Sequence, residues 1–238
     1  MNKLTNKSKK NLIKMRLYAG GLLIVGFLGS SVNCWAEEKA LPKALIIGDS
    51  ISIGYTKPLT KILKGKVVVV HNPGNAGTSK QGLANLERYL GKTKWDIIHF
   101  NHGMHDLRYL DDATGKDTTL EGKGHIKVPI EAYEKNMEAI VLRLKKTGAK
   151  LIFATTTPYP AGMSRPLSKY RQSKKYNEVA LKIMNKHNVA VNDLYAFVKP
   201  RLEKLQIPGD IHFNQEGSNA MAEEVAKHIL KIIKITNE

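Results

Sequence analysis

The feature that most constrains this chain is a series of short apolar runs that do not alternate with polar residues. Ala44-Leu45-Ile46-Ile47, Val67-Val68-Val69-Val70, Trp95 to Phe100, Lys150 to Ala154 and Val189 to Asn192 each read as a strand. A strand with one wet face alternates apolar and polar side chains, so runs without alternation predict strands covered on both faces. Helical patterns lie between them. Ile130, Tyr133, Met137, Ile140, Val141 and Leu144 recur at helix spacing within Ile130 to Thr147, and Gly148 supplies the stop. Ser168 to His187 is a second such stretch. Gln215 to Ile233 is a third, with Ala220, Met221, Val225, Ile229 and Ile232 on one face. Strands alternating with helices in this way predict an α/β fold: a three-layer α/β/α sandwich around a five-stranded parallel sheet. Sites in such sheets lie beyond the carboxyl ends of the strands, so the residues that follow each apolar run carry the functional interest. Arg108 to Val128 breaks the pattern. It is polar, contains Gly115, Gly122 and Gly124, and lacks periodicity, which predicts a long loop bordering the site.

The first 36 residues read as a leader outside the fold. Lys3, Lys7, Lys9, Lys10, Lys14 and Arg16 form a basic start without acids, an apolar run from Leu17 to Val32 follows, and Cys34-Trp35-Ala36 offers small residues at the two positions a signal peptidase reads. This predicts a secretory signal over residues 1–36, an exported (periplasmic or secreted) protein, and a folded domain over 37–238. An uncleaved anchor is the competing reading, but the run holds Gly20, Gly21, Gly26 and Gly29 and is shorter than the roughly 20 residues a spanning helix needs. Lipid attachment at Cys34 is a third, for which Asn33 is a poor fit. Cys34 is the sole cysteine, so a chain cleaved after Ala36 has no disulfide and no thiol chemistry. The formal charge of +17 falls to +11 when the six basic residues of the leader are removed. A surface this basic suits contact with anionic polymers or membrane surfaces, or is simply a solvated lysine-rich exterior; nucleic acid is not the expected partner of an exported chain.

The first apolar run leads directly into Gly48-Asp49-Ser50-Ile51-Ser52, which puts Ser50 at the top of the sheet and the start of a helix. N–H groups at a helix start can hold a developing oxyanion, and a serine there can equally be a helix cap. Ser52 stands where a Gly-x-Ser-x-Gly elbow would need glycine. Near the other end, Asp210-Ile211-His212-Phe213 precedes the last helical pattern. A serine nucleophile needs a base, and a histidine oriented by a carboxylate is the usual one. His99, His102, His105 and Asp106 also gather near one strand end. Histidines three apart at a strand end point to different faces, so neither a metal nor another cofactor is expected. His71, His125, His187 and His228 have no partner visible in the sequence and are expected to be structural or exposed.

Several of these segments together resemble the SGNH/GDSL hydrolases, including the bacterial thioesterase I/lysophospholipase group. Gly48-Asp49-Ser50-Ile51-Ser52-Ile53-Gly54-Tyr55 is similar to the family's first block. Asn72-Pro73-Gly74-Asn75-Ala76-Gly77-Thr78-Ser79 is similar to the second, with Gln81-Gly82-Leu83-Ala84 continuing it, and Gly103-Met104-His105-Asp106 to the third. Thr155-Thr156-Thr157-Pro158 resembles the segment after the fourth strand, and Asp210 with His212 the last block. The resemblance implies the flavodoxin-like SGNH fold and a set of roles. Ser50 would attack an acyl carbonyl, His212 would carry the proton, and Asp210 would orient His212. The N–H groups of Ser50 and Gly77, with His105 as third donor, would form the oxyanion hole. This chain departs from the family twice. His105 stands where the family has asparagine, and Asn101 is the other candidate for that donor. The last pair is Asp-x-His rather than Asp-x-x-His, which leaves a backbone carbonyl as the alternative orienter of His212. Export and the basic surface point to an O-acetyl group on a carbohydrate, so the expected partner is a small acylated substrate or an acetylated polysaccharide. A lysophospholipase or thioesterase-type acyl hydrolase is the nearest alternative, and a non-catalytic glycan-binding protein on the same scaffold is the one of a different class.

Overall fold

The computed structural model describes residues 40–117, 124–159 and 172–237. The expected leader lies outside the described residues, as do positions 168–171 of the second helical stretch. Five parallel strands form the sheet: β1 (Lys43–Ile47), β2 (Val68–His71), β3 (Ile97–Phe100), β6 (Lys150–Ala154) and β7 (Ala190–Asn192), in the order β2-β1-β3-β6-β7. Successive side chains of a strand point to opposite faces. Leu45, Ile47, Ile98, Phe100, Leu151 and Phe153 therefore build one core, while Ala44, Ile46, Ile97, Ile152 and Ala154 build the other.

The first core is closed by α2 (Ser79–Ala84), α3 (Leu86–Leu90), α4 (Ile130–Lys145) and α5 (Ser173–Lys186), through Leu86, Tyr89, Tyr133, Met137, Ile140, Tyr176, Ala180 and their neighbours. The second is closed by α1 (Ser50–Ile62), α6 (Leu194–Val198), α7 (Leu202–Leu205) and α8 (Gln215–Asn237), through Tyr55, Leu59, Leu194, Val198, Leu205, Met221, Val225 and Ile229. The result is the expected three-layer sandwich. Each buried aliphatic or aromatic side chain on α4 contributes about 1.5–3 kcal/mol by leaving water. The five residues of that helix expected in the core, Tyr133, Met137, Ile140, Val141 and Leu144, are all buried.

Two expectations need correcting. β2 is not covered on both faces. It is an edge strand, its burial alternates, and Val68 and Val70 are exposed. Its valine run reflects the fit of β-branched side chains to a pleated surface rather than double coverage. The polar stretch from Arg108 to Val128 is not structureless either. Tyr109–Asp111 (β4) pairs antiparallel with Gly124–Ile126 (β5), and Arg108 is ion-paired with Asp117. Ribbon strands of three residues are too short to show a period, and backbone pairing holds them instead.

Candidate active site

The candidate residues fall on the turns, and at the start of α1, at the carboxyl end of the sheet. β1 runs through Gly48 and Asp49 into α1, with Asp49 as the N-cap: its carboxylate accepts the Ile51 N–H at 2.9 Å. Ser50 is the first residue of the helix. Its own N–H has no intrahelical acceptor, and among the described residues none takes it, so it is directed at the space above the sheet together with the positive end of α1.

The chain brings the residues expected to work together into contact. Ser50 Oγ lies 2.8 Å from His212 Nε2, and His212 Nδ1 lies 2.7 Å from Asp210 Oδ1. A carboxylate oxygen can only accept, so Nδ1 carries the proton and donates, leaving Nε2 to accept from the serine hydroxyl. The same Asp210 Oδ1 accepts the backbone N–H of His212 at 3.0 Å. The Asp-x-His spacing is thus accommodated by a tight turn in which one oxygen holds both the backbone and the ring of residue 212. Burial pushes the Asp210 carboxyl up, but the N–H groups and charge of His212 outweigh it and hold it below the usual carboxylate value. The pair is open to solvent, with 42% of the His212 side chain and 46% of the Asp210 side chain exposed. Gln206, which no sequence pattern singled out, braces this loop from beneath by donating to the carbonyls of Ile211 (3.2 Å) and Pro158 (3.3 Å).

The oxyanion candidates stand differently. Gly77 sits at φ 66°, a left-handed conformation suited to glycine, but its N–H is engaged by Asn75 Oδ1 at 2.8 Å. To donate to a substrate it would have to be released by Asn75. The His105 ring is half-buried and has no hydrogen-bond partner among the described residues. Burial, chiefly, holds it below the usual histidine value, with Arg108 and Lys127 acting in the same sense and Asp49 against them. It is therefore a neutral donor at neutral pH. Asn101 is occupied elsewhere: its amide donates to the Ala154 carbonyl at 2.7 Å and to Thr156 Oγ1 at 3.1 Å, tying β3 to the end of β6. Of the two candidates for the third donor, His105 is the one left free.

The remaining histidines divide. His99 faces the α1/α8 core, edge-on to Tyr55, and burial takes it down to about 3. His102 is held down to about 4 by burial, in the notch left by Gly82, with Nδ1 3.5 Å from the Gly77 carbonyl. Among the described residues no group of three or more His, Cys, Asp or Glu is arranged to hold a metal. The four histidines with no partner visible in the sequence, expected to be structural or exposed, each meet a neighbour. His71 meets Ser52 and Asn72, His125 meets Asp112, His187 meets Glu138 and His228 meets Glu224. These contacts span 1 to 49 residues, and the longest, from the end of α5 to α4, is set by helix packing rather than local pattern.

A serine facing an imidazole that faces a carboxylate can be deprotonated as it attacks an electrophilic carbon. The sequence profile of the GDSL-like lipase/acylhydrolase family matches residues 46–220, which include every one of these positions. No curated protein matches the sequence. Among solved structures, the lipase/acylhydrolase from Enterococcus faecalis is similar at 20% identity, covering 79% of this chain and 95% of that one, with a TM-score of 0.64. Axe2, an acetylxylan esterase from Geobacillus stearothermophilus, is similar at 19% identity over 79% and 94% of the two chains, TM-score 0.61. The acetyl xylan esterase AlAXEase is similar at 15% identity over 79% and 99%, TM-score 0.60. At these identities the structures establish a shared fold, and the profile match over most of the chain establishes membership: this protein belongs to the GDSL-like lipase/acylhydrolase family and is a carboxylic ester hydrolase.

Proposed function

We propose that this chain is an exported serine esterase that removes O-acetyl groups from a carbohydrate, with Ser50 as nucleophile, His212 as base and Asp210 as its orienting carboxylate. The observation that carries this reading is the unbroken chain of contacts from Ser50 Oγ through the His212 ring to Asp210, at 2.8 and 2.7 Å. Ser50 Oγ adds to the ester carbonyl carbon while its proton passes to His212 Nε2. The oxyanion is held by the N–H of Ser50 and the ring N–H of His105, and by the Gly77 N–H once Asn75 releases it. The carbon–oxygen bond to the alcohol breaks as His212 returns the proton to the departing oxygen. Water repeats the sequence on the acyl-enzyme, giving acetate and free Ser50.

One feature of the surface beside the site supports a sugar substrate. A cleft of about 1010 Å³ opens along Tyr159, Tyr195, Lys199, Arg201 and Gly209, the residue before Asp210. Tyrosine rings beside cationic side chains suit the stacking and charge of an anionic glycan. The similarity of the fold to acetyl xylan esterases and the leader pattern at residues 1–36 point the same way.

The test is hydrolysis of p-nitrophenyl acetate, butyrate and octanoate and of acetylated xylan by the wild type and by Ser50→Ala. The expected outcome is a preference for acetate and a loss of about three orders of magnitude or more in the variant. Equal rates for the two proteins overturn the nucleophile. Preference for octanoate overturns the acetyl reading in favour of a lysophospholipase or thioesterase-type hydrolase. Binding of the glycan without turnover marks a non-catalytic scaffold. Export is tested separately, by sequencing the amino terminus of protein recovered outside the cytoplasm, where residue 37 is expected first.

A further inference from the structure

β2 ends at His71, whose half-buried ring packs against the turn that carries Ser50. His71 Nδ1 lies 2.7 Å from the Asn72 carbonyl oxygen, and Nε2 lies 2.7 Å from Ser52 Oγ. Ser52 Oγ in turn lies 2.7 Å from the carbonyl oxygen of Asp49, which also accepts the Ile53 N–H at 3.0 Å. That carbonyl and the N–H of Ser50 are the two ends of one peptide bond. A side chain nineteen residues away from Ser52 in sequence is therefore linked, through one hydroxyl, to the peptide whose N–H faces the reacting carbonyl.

Proton counting limits the states of this chain. A carbonyl cannot donate, so Nδ1 of His71 carries a proton. In the neutral ring Nε2 is then a bare acceptor, and the single hydroxyl proton of Ser52 has two oxygen or nitrogen acceptors at 2.7 Å and can serve one. Nε2 has no other donor among the described residues, whereas the Asp49 carbonyl already has Ile53, so leaving Nε2 unpaired is the costlier choice and the proton goes to it. In the imidazolium, Nε2–H donates to Ser52 Oγ, and the hydroxyl proton is turned onto the Asp49 carbonyl. Hydrogen bonds accepted by a carbonyl polarise its peptide and strengthen its N–H as a donor.

We infer that His71 is a positioning residue for the oxyanion hole: through Ser52 it sets how strongly the Ser50 N–H donates. The inference rests on the reading of Ser50 as nucleophile and oxyanion donor. Neutral His71 withholds the Ser52 proton from the Asp49–Ser50 peptide, and protonated His71 delivers it. Burial, first, holds His71 below the usual histidine value, opposed by the Asn72 carbonyl and by the carboxylate of Asp49. Asp49, from the β1–α1 turn, is the ionisable group that acts on the ring. Tyr55, Lys57 and Lys61 of α1, the other element packed here, are not among the groups that shift it. At neutral pH the withholding state prevails.

The size of the effect follows from two general magnitudes. Losing one oxyanion donor costs about two to three orders of magnitude in rate, and an added hydrogen bond strengthens its neighbour by roughly 10–30%. Their product is a change of about two- to eightfold. His71→Leu leaves the Asp49 carbonyl as the one acceptor for Ser52. At pH 8 its kcat for p-nitrophenyl acetate is expected to rise about two- to eightfold with KM unchanged. Adding Ser52→Ala is expected to abolish the gain. A lower kcat in His71→Leu, or a gain that survives Ser52→Ala, overturns the proposal. A measurement independent of activity uses the inactive His212→Gln protein, which removes the ionisation of the histidine that contacts Ser50 directly. The Ser50 amide resonance is expected to titrate together with the His71 ring, and to stop doing so when Ser52→Ala is added. A Ser50 amide that ignores His71, or a His71 ring protonated at Nε2 in its neutral form, also overturns it. Loss of activity in Ser50→Ala tests the nucleophile alone, so the two readings fail separately.

Discussion

Replacing Asp210 by asparagine keeps the shape of the turn and removes its charge. The amide oxygen can still accept both the ring N–H and the backbone N–H of His212, which Asp210 Oδ1 now holds at 2.7 and 3.0 Å. What disappears is the attraction between carboxylate and the imidazolium that forms in the proposed attack by Ser50. In a triad whose carboxylate is buried, this change costs about four orders of magnitude, partly because the amide favours the wrong tautomer. Here the two side chains are 46% and 42% exposed, and solvent screens their interaction. The loss then reduces to that of one charge-assisted hydrogen bond, about 1.5–3 kcal/mol, or roughly 10- to 150-fold in kcat/KM. Steady-state hydrolysis of p-nitrophenyl acetate across pH reads this directly. A fall of four orders of magnitude would mean that the pair is desolvated when substrate binds. No fall at all would mean that a backbone carbonyl orients His212 and Asp210 serves only the turn. Either result refutes the reasoning from exposure.

Three further outcomes follow from the neighbouring turns. His105→Ala should lower kcat by about two to three orders of magnitude with little change in KM. Asn101→Ala, which breaks contacts between β3 and β6, should instead show its main effect in urea denaturation. Asp106 is buried beneath Ser79, and burial pushes its carboxyl up to about 6 against the hydrogen bonds from Ser79. Since the folded value lies above the ordinary one, the stability it contributes is present at low pH and declines as pH rises through about 6. Thermal unfolding of Asp106→Asn between pH 4 and 8 should lack that decline.

The order of the strands' chemistry was legible in the sequence because the three central strands, β1, β3 and β6, are buried on both faces and therefore read as unbroken apolar runs. The site residues that follow them, Ser50 and His105, could be located for the same reason. The edge strand β2 gave a similar run for a different cause, and the short ribbon of β4 and β5 gave no run at all. The Asp-x-His pair looked like a defect against the family pattern. In three dimensions the shorter spacing is a working turn, since one Asp210 oxygen serves two N–H groups of His212. Asn75 lies only two residues from Gly77, and yet a sequence does not reveal that its side chain takes the glycine N–H. That depends on the backbone angles of the loop, which Asn72 and the Ala76 N–H tie to Gly48.

Asp106, which the sequence placed in the third block without a role of its own, explains why the pieces hold together. It follows His105 directly, and no chemistry on substrate falls to it. Both of its carboxylate oxygens lie 3.0 Å from the Ser79 N–H, and one lies 2.5 Å from the Ser79 hydroxyl, which in turn accepts from Asn136 at 3.0 Å. Ser79 is the first residue of α2, two positions after Gly77, and its N-cap Thr78 closes a capping box with Gln81. A single buried carboxylate therefore clamps the turn after β3 to the turn after β2 and anchors both to α4. His105 and Gly77 can act on one oxyanion only if these two turns keep a fixed separation, and β2 and β3 do not pair directly, being separated in the sheet by β1. Burying an acid at a cost that raises its carboxyl to about 6 is the physical trace of that requirement.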